Sequence, residues 1–179
     1  KIKQAKKNGD ILKVAVNLSG RSLESPAFID ELHRILQSCR DIRDQLMFEV
    51  TESAKITNLE QTNAVLQSLR RAGHHVCLDD FGAGAAAFQY LRALEVDYVK
   101  IDGVYVREAL TTPNGKPFLR AMAGLCSEIG IQTVAEMVET EEEAKFLFEA
   151  KVQFGQGYLF GKPAQGITSI RGPAARKAV

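Results

Sequence analysis

The sequence predicts a parallel α/β fold, a (β/α)8 barrel of the TIM type, of which about six βα units fall within the chain. Three observations lead there. Short β-branched runs alternate with amphipathic helical stretches from Val14 to about Phe160, and repeated strand–helix units with buried strands imply a parallel sheet. Nearly every run ends in an ionisable or amide residue: Asn17, Glu49 with Glu52, Asp79 with Asp80, Lys100 with Asp102, Glu136 with Glu139, and Gln156. A barrel assembles its site from the carboxyl ends of many strands, whereas a doubly wound sheet concentrates it at one switch point. Finally, no glycine-rich phosphate fingerprint follows the first strand, which argues against a nucleotide-binding open sheet.

The elements follow in order. Val14-Ala15-Val16 is a short strand, and Ser25-Pro26 starts a helix carrying Phe28, Ile29, Leu32, Ile35 and Leu36 at helical spacing. Leu46 to Val50 is the next strand. Thr57 with Glu60 forms a capping box for a helix with Val65, Leu66, Leu69 and Ala72 on its apolar stripe, closed by Gly73. His75 to Asp80 is a third strand, Phe88 to Leu94 a short helix, and Val96 to Asp102 a fourth strand. Phe118 to Ile129 is a helix stopped at Gly130, and Gln132 to Glu136 is a fifth strand. Thr140 with Glu143 caps another helix, and a last strand begins near Gln153. Residues 1–166 form the barrel domain in this reading, and 167–179 a peripheral tail.

Composition narrows the function classes. The 179 residues are 45% hydrophobic and 25% charged, the balance of a globular domain, which sets aside disorder, collagen and coiled coil. Lys plus Arg number 23 against 22 acidic residues, a net charge of +1, so the overall field argues for neither DNA nor a membrane surface. Three widely spaced cysteines fit neither a disulfide framework nor a zinc pattern, and a cytoplasmic setting is expected.

Several carboxylates converging at one mouth repel, by about 4 kcal/mol per pair at ~4 Å and intermediate dielectric, so a divalent cation is expected among them. Carboxylate and amide oxygens without histidine favour Mg²⁺ or Mn²⁺ over zinc. Asp79-Asp80 is the pair best placed to hold two ions, and Lys100 would orient a water or neutralise charge on a phosphoryl oxygen. Each residue also has a plainer role open to it. Asn17 serves equally as a turn former, Glu52, Glu139 and Asp102 as caps or salt-bridge partners, and His33, His74 and His75 as structural groups.

The segments Val16 to Ser19, Phe48 to Ser53, Leu78 to Gly84, Val99 to Asp102, Val134 to Thr140 and Gln156 to Phe160, in this order, closely resemble the EAL domain family. The resemblance implies a barrel that hydrolyses the bacterial second messenger cyclic di-GMP to the linear dinucleotide with Mg²⁺ or Mn²⁺. It implies Asn17, Glu49 and Asp79 as first-metal ligands and Asp80 as a second-metal ligand. Lys100 and Glu136 match the residues that position or activate the attacking water, Glu52 a glutamate bracing the loop after the Asp-Asp strand, and Glu139 and Gln156 residues lining the same mouth. Cyclic di-GMP is the expected partner, with a homodimer and a covalently linked sensor or cyclase domain as further expectations.

The sequence departs from the family pattern in three places. The signature Glu-Ala-Leu strand is expected before Asn17, and Lys1 to Lys13 contains nothing like it, while Glu108-Ala109-Leu110 spells the letters on a helix or loop. The loop Gly82 to Ala87 has lost the family's hydroxyl groups, and Met137 replaces the usual glycine. Two functions are therefore expected in competition: a cyclic di-GMP phosphodiesterase that is weak or inactive in this form, or a non-catalytic module binding cyclic di-GMP or a protein. An unrelated barrel enzyme that abstracts a proton next to a carboxylate is a third. Length sharpens the fold expectation, since a full barrel runs to ~250 residues. The first two strands are expected to lie outside the chain, leaving the edges of the Val14–Val16 strand and of the last strand open.

Overall fold

The structure is a computed structural model that describes residues 13–51, 56–84 and 86–163. The chain divides into two compact units after Asp97. In the first, β1 (Val14–Leu18), β2 (Leu46–Thr51) and β3 (His75–Phe81) pair in parallel. They alternate with helices α1 (Gly20–Leu23), α2 (Pro26–Gln37), α3 (Leu59–Arg71) and α4 (Ala87–Ala93), and a 3₁₀ turn over Arg40–Gln45 leads into β2.

Ser25 caps α2 through its side chain, with Pro26 at the first helical position, where a missing N–H costs nothing. Helix α3 buries Thr62, Leu66 and Leu69 on one stripe. Fully burying each leucine contributes about 1.5–3 kcal/mol. The expected capping box does not form; Asn58, one residue on, is the N-cap, accepting from Gln61 N at 2.9 Å. Thr57 is held elsewhere, donating its N–H and hydroxyl to Glu24 Oε1 at 2.8 and 2.6 Å. Gly73 ends α3 at φ 90°, where a side chain would be strained.

The fourth strand was expected from Val96, but Asp97 is taken up by β3. Its N–H donates to Val76 O at 2.9 Å, and its carboxylate accepts from Val76 N and pairs with Arg70 at 2.8 Å. Two of the histidines are held by contacts within the fold. His33 Nε2 meets Ser68 Oγ at 2.9 Å, and buried His74 sets its ring edge-on to Phe48 and reaches Arg43 O at 3.2 Å.

In the second unit β4 (Tyr98–Ile101), β5 (Gln132–Ala135) and the two-residue β6 (Phe154–Gly155) pair in parallel, with α5 (Gly103–Thr111), α6 (Gly115–Glu128) and α7 (Glu141–Glu149) between them. Helix α5 was not expected as an element, and Glu108-Ala109-Leu110 lies inside it rather than on a strand. Helix α6 buries Leu119, Met122, Ala123 and Cys126, and Gly130 follows its end at φ 76°. The Thr140–Glu143 capping box of α7 forms as expected.

Exposed apolar residues lie on β1 (Val16, 37%) and on β6 (Phe154, 39%). No helix among the described residues is long and apolar enough to cross a membrane. The tail 167–179 and the segment Lys1 to Lys7 lie outside the described residues.

Candidate active site

Register decides which strand-end residues share a face. In the first unit Asn17 stands opposite Glu49, and Glu49 opposite Cys77. Side chains alternate with period two along a strand, so Asp79, two residues beyond Cys77, falls on the same face as Glu49 and Asn17. The other face carries Phe48, Val50, Val76 and Leu78, all buried. The sequence therefore sorts one apolar face from one that gathers an amide and two carboxylates towards the carboxyl ends. Glu49 and Asp79 are themselves buried, at 6% and 9% exposure.

At Asp80 the chain turns. The residue adopts φ 56°, a left-handed conformation that aspartate tolerates better than most side chains. Its N–H donates to Asp79 Oδ1 at 3.1 Å, and its carbonyl accepts from Ala83 N at 3.0 Å. Phe81, fully buried, sets its ring edge-on to Phe88 on α4 and anchors the turn. This brings adjacent carboxylates Asp79 and Asp80 to the end of one strand. Glu52 lies outside the described residues.

The second unit holds a different chemistry. Lys100 pairs in register with Val134, so Glu136, two residues on, projects to the same side. Lys100 Nζ and Glu136 Oε1 meet at 2.7 Å, with the two side chains only 8% and 18% exposed. Glu136 N donates to Ile101 O at 3.1 Å, fixing the backbone beneath the pair. Gln156 is exposed but tied to the same segment by its backbone, donating to Ala135 O at 2.8 Å and accepting from Val138 N at 3.0 Å. Glu139 is exposed, and its N–H donates to Glu143 Oε2 at 2.8 Å beside the α7 cap. Asp102 takes the plainer of its two expected roles, as the N-cap of α5, accepting from Val104 N at 2.7 Å.

The donor set of the first unit is all oxygen, from one amide and several carboxylates, and suits a hard divalent cation rather than zinc. A buried ammonium–carboxylate pair, as in the second unit, can hold and orient a water or carry a proton. The first unit also has a cavity of about 400 Å³ lined by Arg70, His74, Glu95 and Asp97. It lies beside the start of β3, at the other end of the strand from the carboxylates. Sequence reasoning missed the left-handed residues that follow the two key carboxylates, Asp80 after Asp79 and Met137, at φ 55°, after Glu136. No glycine or asparagine marks Met137 as a turn.

Comparison with known proteins decides the family. The EAL domain family matches residues 1–163. The chain belongs to the EAL domain family. Among curated relatives, the chain is similar to cyclic di-GMP phosphodiesterase PdeB of Shewanella oneidensis, 37% identical over 151 residues, covering 84% of this chain and 18% of that protein. Thus it spans about a fifth of that relative's length. Among solved structures it is similar to the EAL domain of Mycobacterium smegmatis DcpA, with TM-score 0.83, 32% identity and coverage of 90% of this chain and 74% of the other. It is also similar to Klebsiella pneumoniae BlrP1, whose structure is a manganese and cyclic di-GMP complex (TM-score 0.77, 32% identity, 91% of this chain, 42% of the other). The expected fold class holds: this is the TIM-barrel-like α/β fold of EAL domains, with six strands among the described residues.

Proposed function

We propose that this EAL-type domain acts on cyclic di-GMP, cleaving one phosphodiester bond to give the linear dinucleotide. The observation that carries the reading is the shared face of Asn17, Glu49 and Asp79, an oxygen donor set in register at the ends of parallel strands. These residues together with Asp80 would hold Mg²⁺ or Mn²⁺. When bound, such ions polarise a phosphoryl oxygen and acidify a bound water. The chain's own acid–base group is Glu136, which would accept a proton from the attacking water, while Lys100, 2.7 Å away, holds the carboxylate in place and offsets its charge. Glu52, Glu139 and Gln156 are proposed to support the loops and line the mouth.

Turnover by this polypeptide alone is expected to be slow or absent, because the Glu-Ala-Leu strand does not occur in Lys1 to Lys13. The loop from Gly82 to Ala87, bare of hydroxyls, favours a second reading, a module that binds cyclic di-GMP without cleaving it. Calorimetry with Mn²⁺ and then cyclic di-GMP tests both, with chromatography of the nucleotide afterwards. The expected result is binding that Asp79→Ala and Asp80→Ala each weaken by more than about tenfold, the scale of losses at metal sites. Unchanged affinity in both variants would overturn the site. Linear product marks the enzyme; binding without product marks the receptor.

A further inference from the structure

Met137 is half exposed, at 51%, and sits in a left-handed turn directly after Glu136. Its side chain lies over the bare backbone of Gly103. A Cβ placed there would stand 2.6 Å from Met137 Cβ and 2.7 Å from its Sδ. The side chain is thus packed on the Gly103 backbone on that side, and its exposure lies on the remaining side. Arg107, one turn further along α5, donates from Nη1 to Met137 Sδ at 3.5 Å. The other two methionines differ: Met122 is 3% exposed on the buried face of α6, and Met47 is half-buried on β2. Thioether oxidation follows access to the sulfur.

We propose that Met137 is a site of oxidation by peroxides, and that Arg107 sets the handedness of the product. A thioether sulfur has two lone pairs. In this proposal the Arg107 N–H, 3.5 Å from the sulfur, engages one of them and the oxidant takes the other. That lone pair attacks one oxygen of hydrogen peroxide, the O–O bond breaks and an S–O bond forms. Sulfur is oxidised by two electrons to the sulfoxide. The departing oxygen takes the proton of the transferred one and leaves as water, so atoms and electrons balance. The change converts a flexible apolar group beside Glu136 into a polar, chiral one that a methionine sulfoxide reductase can restore. The inference rests on the surroundings of Met137 within its own unit and not on the phosphodiesterase reading.

The test treats the chain with hydrogen peroxide for increasing times, then digests it with trypsin. Met122 and Met137 fall in one tryptic peptide, Ala121 to Lys145, so each reports on the other. Fragmentation should place a mass gain of about 16 Da on Met137 on the order of tenfold faster than on Met122, as access dictates. One sulfoxide epimer should predominate, read by which of the two epimer-specific reductases removes it. Met137→Leu should abolish the fast gain and leave the rate at Met122 unchanged. Arg107→Leu should keep the fast oxidation and yield both epimers. Equal rates at Met122 and Met137 would overturn the site, and an epimer excess that survives Arg107→Leu would overturn the role of Arg107.

Discussion

The two units handle charge at their strand ends in opposite ways. The first aligns oxygen donors, Asn17, Glu49 and Asp79, on one face and adds Asp80 beside them. The ionisable side chains at these strand ends are carboxylates, an oxygen donor set that would suit a hard cation. The second sets opposite charges side by side, with Lys100 and Glu136 2.7 Å apart. Yet both units turn the chain in the same way, with a left-handed residue straight after the carboxylate, Asp80 at φ 56° and Met137 at φ 55°. The contrast teaches that one backbone device serves two chemistries, and that what differs is the charge balance of the side chains it presents.

The largest effect should come from breaking that balance. In Lys100→Met the Glu136 carboxylate, 18% exposed, loses the ammonium 2.7 Å away. Removing one partner of a buried pair is expected to lower stability by about 3–5 kcal/mol. In Asp79→Asn the side chain keeps its shape and the oxygen that accepts from Asp80 N, so a smaller change, about 1 kcal/mol, is expected. Urea denaturation of the two variants without metal measures both. Equal losses would erase the distinction between the units.

Helix capping gives the next effect. Thr140 and Glu143 cap α7 reciprocally, whereas Asn58 caps α3 with a single side-chain bond. Thr140→Ala is expected to cost about 1–2 kcal/mol and Asn58→Ala about 1 kcal/mol. Amide exchange across the first turn of each helix reads the loss locally. Faster exchange at α3 in Asn58→Ala than at α7 in Thr140→Ala would reverse the order.

Acid separates the units more weakly, because all three histidines lie in the first. Burial pushes the His74 imidazole below its ordinary value of 6.5, against the opposing pull of its bond to Arg43 O. The unfolded chain therefore takes the proton first. The folded state's stability is level above about pH 6.5 and declines as the pH falls through 6.5 towards the lower folded value. The exposed carboxylates act in a separate window. Glu24, held low by its bonds from Thr57, and Glu31, held low by Arg34, contribute stability above about pH 4.5 that is lost below it. Urea midpoints taken on both sides of pH 6.5 should show a slope that His74→Asn flattens. A slope that persists in that variant would place the effect on another group.

How much of this was legible in the sequence depends on how local each signal is. Strands and most helices could be read because hydrophobic period, Ser25-Pro26 and Thr140 with Glu143 act over a few residues. The face shared by Asn17, Glu49 and Asp79 was only half legible. The residues were visible at strand ends, but their common face follows from pairing register, which no single segment encodes. Asp97 was misread as strand because its partners, Val76 and Arg70, lie more than twenty residues away in the chain. Thr57 was misread as a cap because Glu24, 33 residues away, holds it. Helix α5 was passed over because Val104 and Tyr105 continue the β-like composition of the strand before it, while Asp102 in fact caps and starts a helix.

The smallest effect tests the shared backbone device itself. A non-glycine residue in the left-handed region is disfavoured by about 1–2 kcal/mol, whereas glycine adopts it freely but loses about 0.5–1 kcal/mol through the greater freedom of the unfolded chain. Aspartate is among the side chains that tolerate the region, so Asp80→Gly should leave stability unchanged or slightly lower. Methionine has no such local bond to offer, and Met137→Gly should raise stability by up to about 1 kcal/mol, less whatever contact with Gly103 is forfeited. Thermal unfolding of the two glycine variants side by side measures the difference. If both variants lose stability equally, the Met137 side chain on Gly103 and Arg107 outweighs its strained backbone, and the second turn is held by packing where the first is held by conformational tolerance.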